Sequence, residues 1–385
     1  MAGVFRGLMA GLIVLSAASW CTVHADDVAT NVDAILKVDR LGTGHAAAVP
    51  AAKQLGKEPA TALVPILQGM DRANPVSDNW LRGVFEEIAD RTLKDGKSLP
   101  KFELEQFALD RTHGAQSRKL AFDWLIKIDP SAADRLVPGM VDDPSAEFRR
   151  DSVQRLIDSA KAAEKEESKS KHLYRQAFAA AIDPDQVELV TKALSKLGDK
   201  PDLKRQLGLL DDWWLIGPFD NHERIGFAAA YAPESEIALD KKYPGKGEEV
   251  AWVKKQSGNG QAVMDLNKLF APHKGAVMYA YREFVAERGQ AVEIRLGTPN
   301  GWKLWVNGEL AFAHEEYHLT MRMDQYRVPL SLKPGINRIL LKVCQDEQSV
   351  EWAQRWQFQL RVCDSSGKAF LPVENEAPNT LSAAP

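Results

Sequence analysis

Leu304-Trp305-Val306-Asn307-Gly308-Glu309-Leu310, and beyond it Leu332-Lys333-Pro334-Gly335-Ile336-Asn337-Arg338-Ile339-Leu340-Leu341-Lys342-Val343, decide the fold of the C-terminal half. Asn307-Gly308 separates two runs of strand-forming residues, and a two-residue type I′ turn needs positive φ twice, which Asn and Gly supply. Lys333-Pro334-Gly335 marks a second turn. On either side the apolar residues alternate: Val292, Ile294 and Leu296; Ile339, Leu341 and Val343; Phe358, Leu360 and Val362. Period two means one buried face per strand. Many short strands with closely spaced turns and no intervening helix predict an all-β sandwich over residues 209–373.

These segments, with His314 and the opening Trp214-Leu215-Ile216-Gly217-Pro218-Phe219, resemble galactose-binding-like jelly rolls, such as the sugar-binding domains of glycoside hydrolase family 2. The resemblance covers roughly Trp213 to Val362 and rests on turn and strand chemistry. It therefore implies a fold, an all-β jelly-roll sandwich, more firmly than a ligand.

Working back toward the N-terminus, the apolar period becomes helical. Leu81, Val84, Phe85 and Ile88 follow the i, i+3, i+4, i+7 spacing, as do Ala121, Trp124, Leu125 and Ile128, and Val187, Val190, Leu194 and Leu197 continue the theme. Asp129-Pro130, Asp143-Pro144 and Asp183-Pro184 read as helix starts, with Asp as N-cap and Pro at the first helical position. Short helices with short connections predict an all-α domain of antiparallel helical pairs over residues 26–208. Residues 133–159 resemble a HEAT-type repeat, and that likeness implies a surface for a protein partner. The alternative is an irregular bundle whose stripes are only core. The charged run 164–171 reads as a solvated helix face. The junction over residues 207–213 has no Gly/Ser linker, so Trp213-Trp214 is expected to pack helices onto the sandwich.

At the N-terminus, Arg6, an apolar run from Leu8 to Ala18, and Val23-His24-Ala25 before Asp26 read as a signal peptide over residues 1–25, cleaved between Ala25 and Asp26. The apolar run is shorter than the roughly 20 residues of a membrane-spanning helix. The expectation is an extracytoplasmic (periplasmic or secreted) protein with no membrane span after cleavage. Residues 374–385 read as a disordered tail. Lys and Arg total 49 against 53 Asp and Glu, a net charge of −4, which leaves no basic field for nucleic acid. Cleavage leaves Cys344 and Cys363. If their strands were consecutive antiparallel neighbours, the two sulfurs would sit at opposite ends of the pair, which argues against a disulfide.

Two groups of residues carry candidate chemistry. His314-Glu315-Glu316-Tyr317-His318 matches H-E-x-x-H, which on a helix sets two imidazoles on one face for Zn²⁺ and lets Glu315 activate water. Asn307-Gly308 instead puts residues 309–313 on a return strand, so the motif falls on a strand end or loop and the match reads as fortuitous. The second group is aromatic: Trp302, Trp305, Tyr317, Trp352 and Trp356 could pack on sugar C–H faces, with Glu315, Asp324 or Gln354 taking hydroxyls. Aromatics also fill sandwich cores, which is the competing reading. Trp305 alternates away from Leu304 and Val306, so it points off the core face. No G-x-S-x-G, phosphate loop or dinucleotide fingerprint occurs.

The sequence thus predicts a non-enzymatic binding protein whose jelly roll engages carbohydrate and whose helical repeats engage a protein. A purely protein–protein envelope adaptor is the second reading, and a zinc hydrolase using His314, Glu315 and His318 is the third. No cofactor is expected; calcium and zinc are weighed and not predicted.

Overall fold

The computed structural model describes residues 15–373, with side chains from Asp26 onward. Residues 1–14 of the expected signal peptide, the side chain of Ala25 and the expected tail 374–385 lie outside the described part. Helices occupy the N-terminal half and antiparallel strands the C-terminal half: α1 (Leu15–Leu36), α2 (His45–Leu55), α3 (Leu63–Met70), α4 (Pro75–Lys94), α5 (Lys101–Leu109), α6 (Ala115–Ile128), α7 (Ser131–Leu136), α8 (Ala146–Ala162), α9 (Glu167–Ala180), α10 (Pro184–Lys196) and α11 (Leu203–Leu207). Secondary structure changes near residue 208, as the periodicity predicts. The compact units divide earlier, between Phe148 and Arg149.

In the first unit α1 packs on α2, α3 on α4, and α5 on α6. The stripe Leu81, Val84, Phe85 and Ile88 is buried along α4. Asn74 caps that helix, its Oδ1 accepting from Val76 N and Ser77 N (2.9 and 3.2 Å), and Pro75 opens it. The three expected Asp-Pro starts differ. Asp183 stands at the N-cap of α10 with Pro184 first in the helix. Asp129 and Asp143 precede helices that begin at Ser131 and Ala146. Their carboxylates are engaged elsewhere: Asp129 with Ser131 and Lys101, and Asp143 with a fully buried Arg118. The HEAT-like stretch 133–159 likewise does not form one self-contained repeat. Phe148 packs on Phe122 in the first unit, while Val153, Ile157 and Ala160 join the α9 and α10 side chains in the second.

The second unit contains α8 from residue 149, α9–α11 and the strands β1 (Asp212–Asp220), β2 (Lys242–Pro244), β3 (Glu249–Ala251), β4 (Val253–Gln256), β5 (Met264–Asp265), β6 (Ala276–Ala286), β7 (Gln290–Gly297), β8 (Gly301–Val306), β9 (Glu309–His314), β10 (Tyr326–Leu332), β11 (Gly335–Gln345) and β12 (Gln357–Cys363). A six-stranded sheet, β4-β1-β6-β11-β8-β9, faces a four-stranded one, β10-β7-β12-β5. Asn307 and Gly308 carry φ of 56° and 87° in the β8–β9 turn, and Gly335 a φ of 82° before β11, as the turn chemistry requires. The alternating residues interdigitate between the sheets, with Leu304, Leu341, Ile294, Phe358 and Leu360 all fully or nearly buried.

Trp213 lies inside this core, edge-on to Phe358, and does not join helices to sheet. That contact is made by Leu207 and Leu209, which cluster with α8–α10 side chains and Ala262. Cys344 and Cys363 are free and buried. They stand on β11 and β12, which are consecutive in sequence but belong to opposite sheets, so the strands are not the neighbours assumed from the sequence.

The outer face of the six-stranded sheet is also apolar: Ile216, Phe219, Tyr279, Tyr281, Trp305 and Leu340. The chain between β1 and β4 crosses it as a strap, laying Tyr231, Ile237, Leu239, Tyr243 and Trp252 against these residues. Lys342, on the same face, is fully buried beneath the strap.

Candidate functional site

The five aromatic residues singled out in the sequence do not form a row. Trp302 and Trp356 are fully buried in the sandwich core, where Trp302 stacks on Phe312 and the Trp356 indole N–H donates to the Val343 carbonyl (3.2 Å). They share the parity of Leu304 and Phe358, and that parity places them inside. Trp305 points outward as its alternation predicts. The strap leaves it only 9% exposed, at the edge of a separate cleft. Tyr317 and Trp352 come together, at the end of the sandwich where β1, β9 and β11 finish.

This end is built from three loops. After β1, Asn221 is fully buried: its backbone N–H donates to the Gly275 carbonyl (2.8 Å) and its Nδ2 to the Gln345 carbonyl (2.9 Å), fastening the end of β1 to β6 and β11. The following Glu223 and Arg224 take φ of 49° and 65°. After β9, His318 takes φ of 65°. Left-handed backbone at side-chain-bearing residues is unfavourable by about 1–3 kcal/mol each, and such strain concentrates at functional sites. After β11 come Asp346 and Glu347, then the turn Glu351–Gln354 that carries Trp352.

Asp346 is the hub. Its Oδ2 accepts from Arg224 Nη2 (2.9 Å) and from His318 Nε2 (2.8 Å). The other nitrogen of His318 faces the Ala353 carbonyl (3.1 Å), so a neutral ring can donate to only one of the two acceptors. Arg224 lies over the Tyr317 ring, 4.6 Å from its centroid. His318 meets Trp352 edge-on at 6.0 Å. Beside them, Glu347 accepts from His222 Nδ1 (2.6 Å) and from Glu223 N (3.2 Å). Hydrogen bonding to Glu347 raises His222 above the ordinary histidine value, and the same contact lowers Glu347. Burial pushes the Tyr317 phenol up.

Two further properties define what this end can do. Trp352 is 61% exposed, the most open indole among the described residues. Among the buried oxygens of this end, Asp346 Oδ1 has no hydrogen-bond partner, while the Tyr317 hydroxyl faces the Asn221 side chain. A buried oxygen without a donor is costly, by about 1–3 kcal/mol. An open aromatic face near a half-exposed guanidinium that a buried carboxylate orients suits a ligand with apolar C–H faces and many hydroxyls.

The acceptors anticipated from the sequence are engaged elsewhere. Asp324 is held by Arg361 and Arg295, Gln354 donates to the Ser349 carbonyl (2.6 Å), and Glu315 stands exposed in the loop. The H-E-x-x-H segment lies on the end of β9 and the following loop, not on a helix. His314 contacts Glu316 (3.0 Å) while His318 turns to Asp346, so the two imidazoles face different partners. Among the described residues no group of three or more His, Cys, Asp or Glu is placed to hold a metal ion. Asn221, Arg224 and Asp346 were missed by sequence reasoning. Their one local signal is polar residues at the C-terminal ends of strands β1 and β11.

No family model matches the chain, and no curated protein is significantly similar to it. Among solved structures it is similar to the β-glucosidase from Kluyveromyces marxianus in complex with glucose, at 10% identity and a TM-score of 0.27, over 80% of this chain and 39% of that one. It is also similar to the GH31 α-xylosidase from Xanthomonas citri, at 13% identity and a TM-score of 0.19, over 40% of this chain and 16% of that one. The chain thus spans well under half the length of these enzymes, and at such values the likeness fixes neither fold family nor function.

Proposed function

We propose that this chain is a non-enzymatic carbohydrate-binding protein of galactose-binding-like architecture that works outside the cytoplasm. Its glycan site is the loop end of the sandwich, and its helical half engages a protein. The observation that carries the glycan reading is the exposed ring of Trp352 at the same loop end as Arg224, a half-exposed guanidinium fixed by the buried Asp346. A pyranose C–H face stacks on Trp352, while its hydroxyls receive from Arg224, which Asp346 holds from behind. In the helical half, Phe102 and Leu109 on α5, 71% and 40% exposed, offer apolar contact to a partner. The leader residues 1–25 carry the localisation reading.

The test is a glycan array on the full chain, followed by calorimetric titration of any hit. Trp352→Ala is expected to weaken binding by about 2 kcal/mol, roughly 30-fold, as for an aromatic anchor. Stability should stay within about 0.5 kcal/mol, since the ring is largely exposed. A blank array with folded protein, or full binding by the Trp352→Ala protein, would sink the reading.

A further inference from the structure

The strap over the six-stranded sheet closes one side of a cleft of about 520 Å³, within the ordinary size of ligand pockets. It does not share its lining with the loop-end site. Trp305, Tyr281 and Leu340 project into it from the sheet, so its floor is aromatic and apolar. Glu234 and Glu236 come from the strap, Glu283 from β6 and Arg338 from β11.

Glu234 is fixed from behind. Its Oε1 accepts from Lys342 Nζ (2.8 Å) and from the Tyr279 hydroxyl. Lys342 also donates to the Ala229 carbonyl (2.6 Å), and its side chain is 0% exposed. Burying a lysine completely is unfavourable unless its charge is paired and its protons are bonded, and both conditions are met only by the strap. No hydrogen bond among the described residues ends on Glu234 Oε2. The wall of the cleft is therefore a carboxylate locked in place with one oxygen unengaged, and Lys342 balances its charge.

The remaining charges are mixed. Glu283 accepts from the Tyr281 hydroxyl (2.9 Å) and lies 4.0 Å from Arg338, while Glu236 takes Lys241 on both oxygens. Carboxylates on two walls disfavour an anionic ligand, and the Arg338 guanidinium and the Lys333 ammonium, which also lines the cleft, disfavour a cationic one. An aromatic floor with acceptors on the walls and a donor at the rim suits a neutral, hydroxyl-rich ring.

From this we infer that the cleft is a second saccharide site, for a neutral oligosaccharide, independent of the loop end. The inference goes beyond the proposed function, and the two fail separately. The probe is a panel of neutral gluco-, manno- and xylo-oligosaccharides, titrated calorimetrically into the full chain, the Trp352→Ala protein, and a Glu236→Gln/Glu283→Gln protein. Both glutamates are exposed, so that double variant should fold as the parent, which circular dichroism checks. The expected result is two sites per chain, one surviving in the Trp352→Ala protein and weakened at least tenfold by the double substitution. Trp305→Phe, which keeps the floor aromatic but smaller, should weaken the same site and spare the other. A single site lost in the Trp352→Ala protein and untouched by the cleft variants overturns the inference and leaves the loop-end reading standing. A single site lost only in the cleft variants supports the inference and overturns the loop-end reading. No binding by any member of the panel overturns the inference.

Discussion

Replacing Lys342 by Met keeps the length of the side chain under the strap and removes its charge. The ammonium that is lost sits at 0% exposure, 2.8 Å from Glu234 Oε1, with the Ala229 carbonyl at 2.6 Å and the Phe227 carbonyl at 3.3 Å. Breaking a buried ion pair from one side leaves the other charge uncompensated and costs about 3–5 kcal/mol. Tyr279 still donates to Glu234, and the two carbonyls reach water as the strap loosens, so the lower part of that range is the firmer estimate. At about 2–4 °C per kcal/mol for a unit of this size, Tm falls by roughly 6–20 °C. The assay is urea unfolding of the Lys342→Met chain beside the Lys342→Met/Glu234→Met chain. Removing both charges removes the unpaired carboxylate, so the double variant should recover most of the loss. A single variant within about 1 kcal/mol of the parent would refute the reasoning. So would a double variant no more stable than the single. Either result would mean that stacking, such as Phe219 on Tyr231 at 4.8 Å, holds the strap without the ion pair. The same lysine has a pH signature. Burial lowers it below its ordinary 10.5, even though Glu234 opposes the shift, so the unfolded chain binds the extra proton in the alkaline window below 10.5. The lysine's contribution to stability should therefore rise with pH through that window, and Lys342→Met should abolish the rise.

Three further outcomes follow from charges elsewhere. Burial pushes Asp324 up, but Arg361 and Arg295 together hold it below 3.8, so its contribution is present above 3.8 and is lost as pH falls through the lower folded value. Asp324→Asn should cost about 3–5 kcal/mol at neutral pH by leaving the buried Arg361 without a carboxylate and Arg295 with Glu293 alone, and should flatten the acid limb of stability against pH. His222, raised by Glu347, should titrate above 6.5 in an NMR experiment and return toward 6.5 in Glu347→Gln; its contact favours the folded loop below 6.5 and is lost as pH rises through the folded value. In the first unit, Arg118 grips both oxygens of Asp143 at 2.9 and 2.7 Å with each side chain 1% exposed, so Arg118→Met should lower stability by about 3–5 kcal/mol in thermal unfolding.

The strands and turns of the sandwich were legible because their information is local. Asn307-Gly308 and Gly335 need positive φ, and alternation along β7, β8 and β11 separates the two faces. The same alternation also contained the burial of Trp302 and Trp356, and treating the aromatic residues as one set passed over it. Trp305 was assigned the right face, but the strap that covers it comes from residues more than fifty positions away, which no local pattern encodes. The loop-end site was not legible as a unit. Arg224 meets Asp346 across 122 positions of chain, and Asn221 meets the Gln345 carbonyl across 124, and only the sheet order β1-β6-β11 makes them neighbours.

The division of the chain at residue 148 has a practical bearing on how this protein can be dissected. A gene fragment beginning at Leu209, the natural choice from secondary structure, would cut away Leu207, whose carbonyl accepts from the buried Arg361 (3.2 Å), together with the helices that cover Leu209 and Ala262. Such a piece would carry a raw apolar face and a guanidinium short of an acceptor, and would tend to aggregate even though every strand is intact. A piece suited to laboratory swapping keeps the sandwich with its four preceding helices, starting ahead of α8 at Ala146, and so retains Leu207 and the cover over Leu209 and Ala262.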